Sequence, residues 1–174
     1  MSTSGNERFF DKDDIIVSKT DLKGRLTYAN DIFLSIADYK EAEVLGQPHS
    51  VIRHPEMPRA IFKLLWDSIS SGREIFAYVV NQTKFGDYYW VLAHVTPSRD
   101  NKGEINGYHS NRRVPDRQII QDTIIPMYRK MQKLEDSMPN RKDGMAASEK
   151  LLTDFLQGKN QSYDEFIARI QQAA

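Results

Sequence analysis

The chain has 174 residues, 40 % of them hydrophobic, and its 24 Lys plus Arg balance 24 Asp plus Glu. That length holds one domain plus an appendage, the apolar share supports a core, and neutrality speaks against a chain-wide grip on nucleic acid or acidic lipid. The absence of cysteine excludes disulfides, cysteine-ligated zinc, iron–sulfur clusters, thiol nucleophiles and cysteinyl photoadducts. No apolar run approaches the roughly 20 residues of a spanning helix. The opening Met1-Ser2-Thr3-Ser4-Gly5-Asn6 lacks the apolar stretch of a signal peptide. A cytoplasmic protein without direct membrane insertion is expected.

Residues 1–12, polar apart from Phe9-Phe10, are expected to form an N-terminal arm or cap. Ile15–Thr20 is β-rich, Asp21-Leu22-Lys23-Gly24 carries turn chemistry, and Arg25–Ala29 alternates polar and apolar residues, which predicts a β-hairpin. Asn30-Asp31 can cap a short helix with Ile32, Phe33 and Ile36 on one face. Tyr39–Leu45 offers another helical turn, stopped by Gly46. Pro55 and Pro58 keep the following segment out of regular helix. Beyond them Ile61, Phe62, Leu65, Trp66 and Ile69 recur at helical spacing, up to Gly72.

Three strands follow: Phe76–Val80, Tyr88–Thr96 ending at Pro97, and Ile105–Arg112. Two strands, a helical stretch and three strands joined by hairpins predict an α+β fold over residues 13–114, with a five-stranded antiparallel sheet and short helices on one side. Residues 115–174 read as a helical extension. Its first stripe (Ile119, Ile120, Ile124, Met127, Met131, Leu134) is interrupted by Pro126, which should kink or divide it. Pro139–Gly144 reads as a linker. A helical hairpin follows, with Gly158-Lys159-Asn160 as its turn and Ser162–Glu165 as a capping box.

The chemistry-bearing segment is Gly46–Pro58, where a guanidinium (Arg53), two imidazoles (His49, His54) and a carboxylate (Glu56) sit in proline-stiffened, irregular backbone. Arg53 has the forked donors that suit a phosphate. His94 and His109 read as hydrogen-bonded structural histidines. Asp11, Asp13 and Asp14 read as a solvated run, for they lack the glycine and glutamate of a calcium loop. No P-loop, Gly-x-Ser-x-Gly or Gly-x-Gly-x-x-Gly motif occurs, and no acid, base or nucleophile stands out, so no enzyme is expected.

The run Thr20–Asn30, then Gly46-Gln47-Pro48-His49 with Arg53-His54-Pro55-Glu56-Met57-Pro58, and later Gly86–Val91 and Gly107–Ser110 resemble a PAS domain of the aerotaxis and energy-taxis receptor family. The resemblance covers roughly residues 10–114. It implies a stand-alone FAD-binding redox or oxygen sensor that signals to a methyl-accepting chemotaxis transducer, as a monomer or a homodimer. By position it assigns Asn30 to the end of the second strand, and Arg53, His54 and Glu56 to the adenosine and phosphate part of FAD. It sets Trp66 beside the flavin and Asn81 at the isoalloxazine edge. Phe33 and Phe62 add apolar wall. Glu56 stands where Asp is commoner, and Ile75-Phe76-Ala77-Tyr78 where a Trp-Ser-Gly run is typical. A haem gas sensor and a cofactor-free PAS dimerisation adaptor are the alternatives.

Overall fold

Alternating polar and apolar residues build five strands in the computed structural model, which describes residues 5–172. They are β1 (Ile16–Thr20), β2 (Leu26–Ala29), β3 (Ile75–Gln82), β4 (Tyr88–Arg99) and β5 (Ile105–Arg113), in the antiparallel order β2-β1-β5-β4-β3. The expected α+β architecture is present. Gly24 (φ +75°) makes the β1–β2 turn, and a Cβ there would fall 2.8 Å from the Trp66 ring. Its glycine serves both the left-handed turn and the packing of that ring.

Asn30 caps α1 (Asp31–Ala37) by accepting from the Phe33 N–H. Then come α2 (Glu41–Val44), a 3₁₀ turn (His49–Ile52) and α3 (Arg59–Ser70), which starts immediately after Pro58. The strand expected to end at Pro97 runs on to Arg99. β3 begins at Ile75, opposite Val95, so β4 has lost one neighbour by Pro97, and a missing N–H is tolerated on that open side.

Helix α4 (Arg117–Ile119), a π segment (Ile120–Ile124) and α5 (Ile125–Ser137) form one unbroken helical run. The helix absorbs Pro126 by widening: the Ile125 N–H donates to the Ile120 carbonyl, five residues back. The expected linker over 139–144 is mostly helix. Asn140 caps α6 (Arg141–Gly158) by accepting from the Asp143 N–H. Gly144 sits inside α6 because α5 lies against it; a Cβ there would meet the Glu135 carbonyl at 2.4 Å. The capping box forms before α7 (Tyr163–Gln172): Ser162 N–H donates to Glu165 at 2.7 Å, and Glu165 N–H to the Ser162 hydroxyl at 3.2 Å.

The extension packs on the sheet and on α3. On the sheet, the buried Tyr128 hydroxyl donates to the Tyr78 carbonyl at 2.7 Å and its ring lies 6.2 Å from Trp90. Tyr78 and Trp90 alternate with Val79 and Val91, so this is the sheet face opposite α3. Further along, Glu135 reaches the first turn of α3. Its carboxylate accepts from the Arg59 and Ala60 N–H groups at 3.0 and 3.1 Å and pairs with the Arg59 guanidinium at 3.0 Å. At the other end of the chain, the Arg8 N–H donates to the Tyr88 carbonyl, and Glu7 pairs with Arg117 at the start of the extension. Residues 1–4 of the expected arm lie outside the described residues.

Candidate functional site

Between α3 and the inner sheet face lies a cavity of about 470 Å³, within the range that holds a small cofactor. Leu65 and Ile69 of α3 and Val79, Ala93 and Val95 of the sheet make its apolar walls. Of the eight residues expected to contact a flavin, four line it: Arg53, Phe62, Trp66 and Asn81. An isolated backbone bridge joins Arg53 to Asn81 and so links the irregular segment to β3. The Arg53 guanidinium lies 4.2 Å from the Phe62 ring centroid and donates to the Met57 carbonyl at 3.3 Å. Trp66, 38 % exposed, stands at the rim and meets Tyr108 edge-on at 5.5 Å.

The other four residues of that set do not line the cavity. Asn30 spends its carboxamide on the backbone: its oxygen accepts from the Val17 and Phe33 N–H groups, and its Nδ2 donates to the Ile15 carbonyl at 2.8 Å. Phe33 is fully buried one layer behind, 5.6 Å beneath the Arg112 guanidinium. His54 is buried edge-on against Tyr88 and accepts from the Glu56 N–H at 3.2 Å. Burial holds its pKa below the ordinary imidazole value, with Glu56 opposing. Glu56 has one carboxylate oxygen buried without a hydrogen-bond partner among the described residues.

Arg112, which the sequence reading did not single out, dominates the polar part of the cavity. It is 3 % exposed, and its Nη2 donates to the Ser18 hydroxyl at 2.8 Å and to His49 Nε2 at 2.5 Å. No ion pair reaches it among the described residues. Burial brings its pKa down to about 10, so it stays charged at neutral pH. Among the described residues, three that line the cavity each carry a side-chain group buried without a partner: Arg112 Nη1, Asn81 Nδ2 and Ser110 Oγ. Buried donors left unmade are costly. In a largely apolar slot they fit a flat, apolar ring with acceptor atoms along its edge. A flavin ring has that form. The only sequence trace of this feature is the inward alternation Tyr108, Ser110, Arg112 along β5.

His49 is neutral, because burial and then the Arg112 charge push its pKa down to about 3. The unfolded chain, with an imidazole near 6.5, therefore binds a proton that the fold refuses. Stability from this residue is complete above about pH 6.5 and falls as the pH drops toward 3. Between about pH 7 and pH 5 the wild-type protein should lose about 2 kcal/mol more than His49→Asn, measured by urea unfolding. Equal pH slopes would remove His49 as the cause.

Residues 26–111 match the family described as PAS fold. The chain is 39 % identical over 118 residues to the aerotaxis receptor of Escherichia coli K12, across 67 % of this chain and 23 % of the receptor. It is 34 % identical over 80 residues to phototropin-1A of Oryza sativa subsp. japonica, across 46 % of this chain and 9 % of the phototropin. It thus spans about a quarter or less of these relatives' lengths. Among solved structures, the dark state of the Aureochrome1 blue-light photoreceptor LOV domain superposes with a TM-score of 0.56 at 24 % identity, over 66 % of this chain and 86 % of that one. The PAS domain of the fruit-fly ELK potassium channel gives 0.52 at 16 % identity, over 57 % and 85 %. At these identities the two structures attest the fold alone.

Proposed function

The chain carries a PAS domain, with a sequence related to that of an aerotaxis receptor, and on that premise we propose that it is a cytoplasmic FAD-binding redox sensor that signals to a chemotaxis transducer. The observation that carries this reading is the trio of unpartnered buried groups, on Asn81, Ser110 and Arg112, around a cavity of about 470 Å³. The resemblance of Gly46–Pro58 to the aerotaxis PAS segment supports the same cofactor. Haem is less well supported: the two histidines on the cavity wall have Nε2 engaged, His49 with Arg112 and His109 with Asn111. No helix among the described residues is long and apolar enough to cross a membrane.

A bound flavin supplies reversible uptake of electrons and protons at its ring. The chain's own groups do the rest. Arg112 presents a fixed positive charge, which favours whichever state of the ring carries more negative charge. Asn81 offers both a donor and an acceptor to the ring edge. A change in the hydrogen bond at Asn81 acts on β3 and, through its bridge, on Arg53. The segment after Arg53 leads directly into α3, whose first turn is held by Glu135 of α5. The cavity and the extension thus share α3, and a difference in affinity between two arrangements of α3 and α5 is what a transducer would read.

Hydrogen exchange of the protein before and after dithionite reduction tests the reading. Reduction should change exchange at β3, at the start of α3 and in α5. Identical patterns in the two states would overturn redox signalling.

A further inference from the structure

Beside the first cavity lies a second, polar one of about 370 Å³, and the two share Ser50, Arg53 and Arg59. Its far wall belongs to the helical extension: Gln132, Glu135 and Asp136 of α5, and Arg141 at the start of α6. Three guanidiniums therefore border one space. Arg59 is paired with Glu135. Arg53 and Arg141 have no ion pair among the described residues. The Glu135 carboxylate is committed to the α3 amides and to Arg59, which leaves exposed Asp136 as the one other acid on the wall. Burial lowers the Arg53 pKa, and its cationic neighbours Arg141 and Arg59 lower it further against the pull of Glu135. Like charges crowded in this way are relieved by a polyanion.

We propose that this annexe takes the ADP half of a flavin dinucleotide, and that Arg141 of the extension sets the preference for dinucleotide over mononucleotide. The inference rests on the flavin reading and extends it. A flavin mononucleotide brings one phosphate to the shared wall of Ser50 and Arg53. A dinucleotide adds a second phosphate and an adenosine, and the adjoining polar space accepts both. Two unpaired guanidiniums offer forked donors to the two phosphates. Arg141 is exposed at the first position of α6, so its substitution leaves packing intact.

Apo-protein titrated with FAD, FMN, riboflavin and ADP separates the cases, with Arg141→Ala and Arg141→Lys beside the wild type. Wild-type protein should bind FAD about tenfold more tightly than FMN, and Arg141→Ala should erase that preference while FMN and riboflavin stay within about twofold. Arg141→Lys should restore part of it, and ADP should compete with FAD only while Arg141 is present. An unchanged FAD-to-FMN ratio in Arg141→Ala would overturn the inference and leave the flavin reading intact. Arg141-dependent ADP binding in a protein that takes no flavin would uphold the annexe and sink the flavin reading instead. Loss of all flavins alike in Arg141→Ala would also overturn it.

Discussion

Replacing Glu135 with alanine is expected to cost about 3 kcal/mol of stability. The carboxylate is 4 % exposed and makes two bonds to α3 amides and one ion pair. Pro58, the residue before α3, contributes no side-chain cap of its own. Without the Glu135 carboxylate, the Arg59 and Ala60 amides lose their acceptor and the Arg59 guanidinium its counter-ion together, in a place water reaches poorly, while Arg59 Nη2 keeps the Glu135 backbone carbonyl. Glu135→Gln keeps an acceptor for one amide but turns an NH₂ group toward donors, so it should recover less than half of the loss. Denaturant unfolding measures both. A loss under about 1 kcal/mol for alanine would show that α3 stands without the extension and would cut the route from cavity to α5.

Arg112→Met should behave oppositely. A buried guanidinium without a carboxylate partner carries a desolvation cost that a packed apolar side chain lacks. The vacated Ser18 hydroxyl lies 3.3 Å from His49 Nε2 and can donate to it in place of the arginine. The ligand-free protein should thus hold its stability within about 1 kcal/mol of wild type, or gain, while flavin affinity falls about 100-fold. Thermal melts and flavin titrations on one preparation give both numbers. A destabilised protein with normal flavin affinity would make Arg112 a structural residue.

Much of the fold was legible because its signals are local. The β1–β2 turn, the Asn30 cap, the α3 stripe and the Ser162–Glu165 box each depend on residues within a few positions of one another. Pro97 and residues 139–144 were misread for the complementary reason. Proline ends a strand only where a neighbour is paired on the side its missing N–H would face, and whether β3 reaches Pro97 is a matter of tertiary register. Asn140 and Gly144 look like linker residues in sequence, yet one is a helix cap and the other is where α5 touches α6.

The candidate site divides along the same line. Arg53, Trp66 and Asn81 were assigned through the family resemblance, Phe62 stands on the same helical stripe as Trp66, and the fold brings all four to one cavity. Arg112 was missed, since nothing local marks an inward arginine on a strand as unpartnered. Glu135 was missed too, for its partners lie 76 and 75 residues away in the chain. Arg141 needed the second cavity to be seen at all.

The most direct test of the central claim is the visible absorption spectrum of the purified full chain, followed by heat release and chromatography of whatever colours it. The account predicts the two-band spectrum of oxidised flavin, bleached by dithionite, and FAD in the released fraction. A single intense Soret band would point to haem. A colourless protein that takes up neither FAD nor FMN on reconstitution would contradict the account outright.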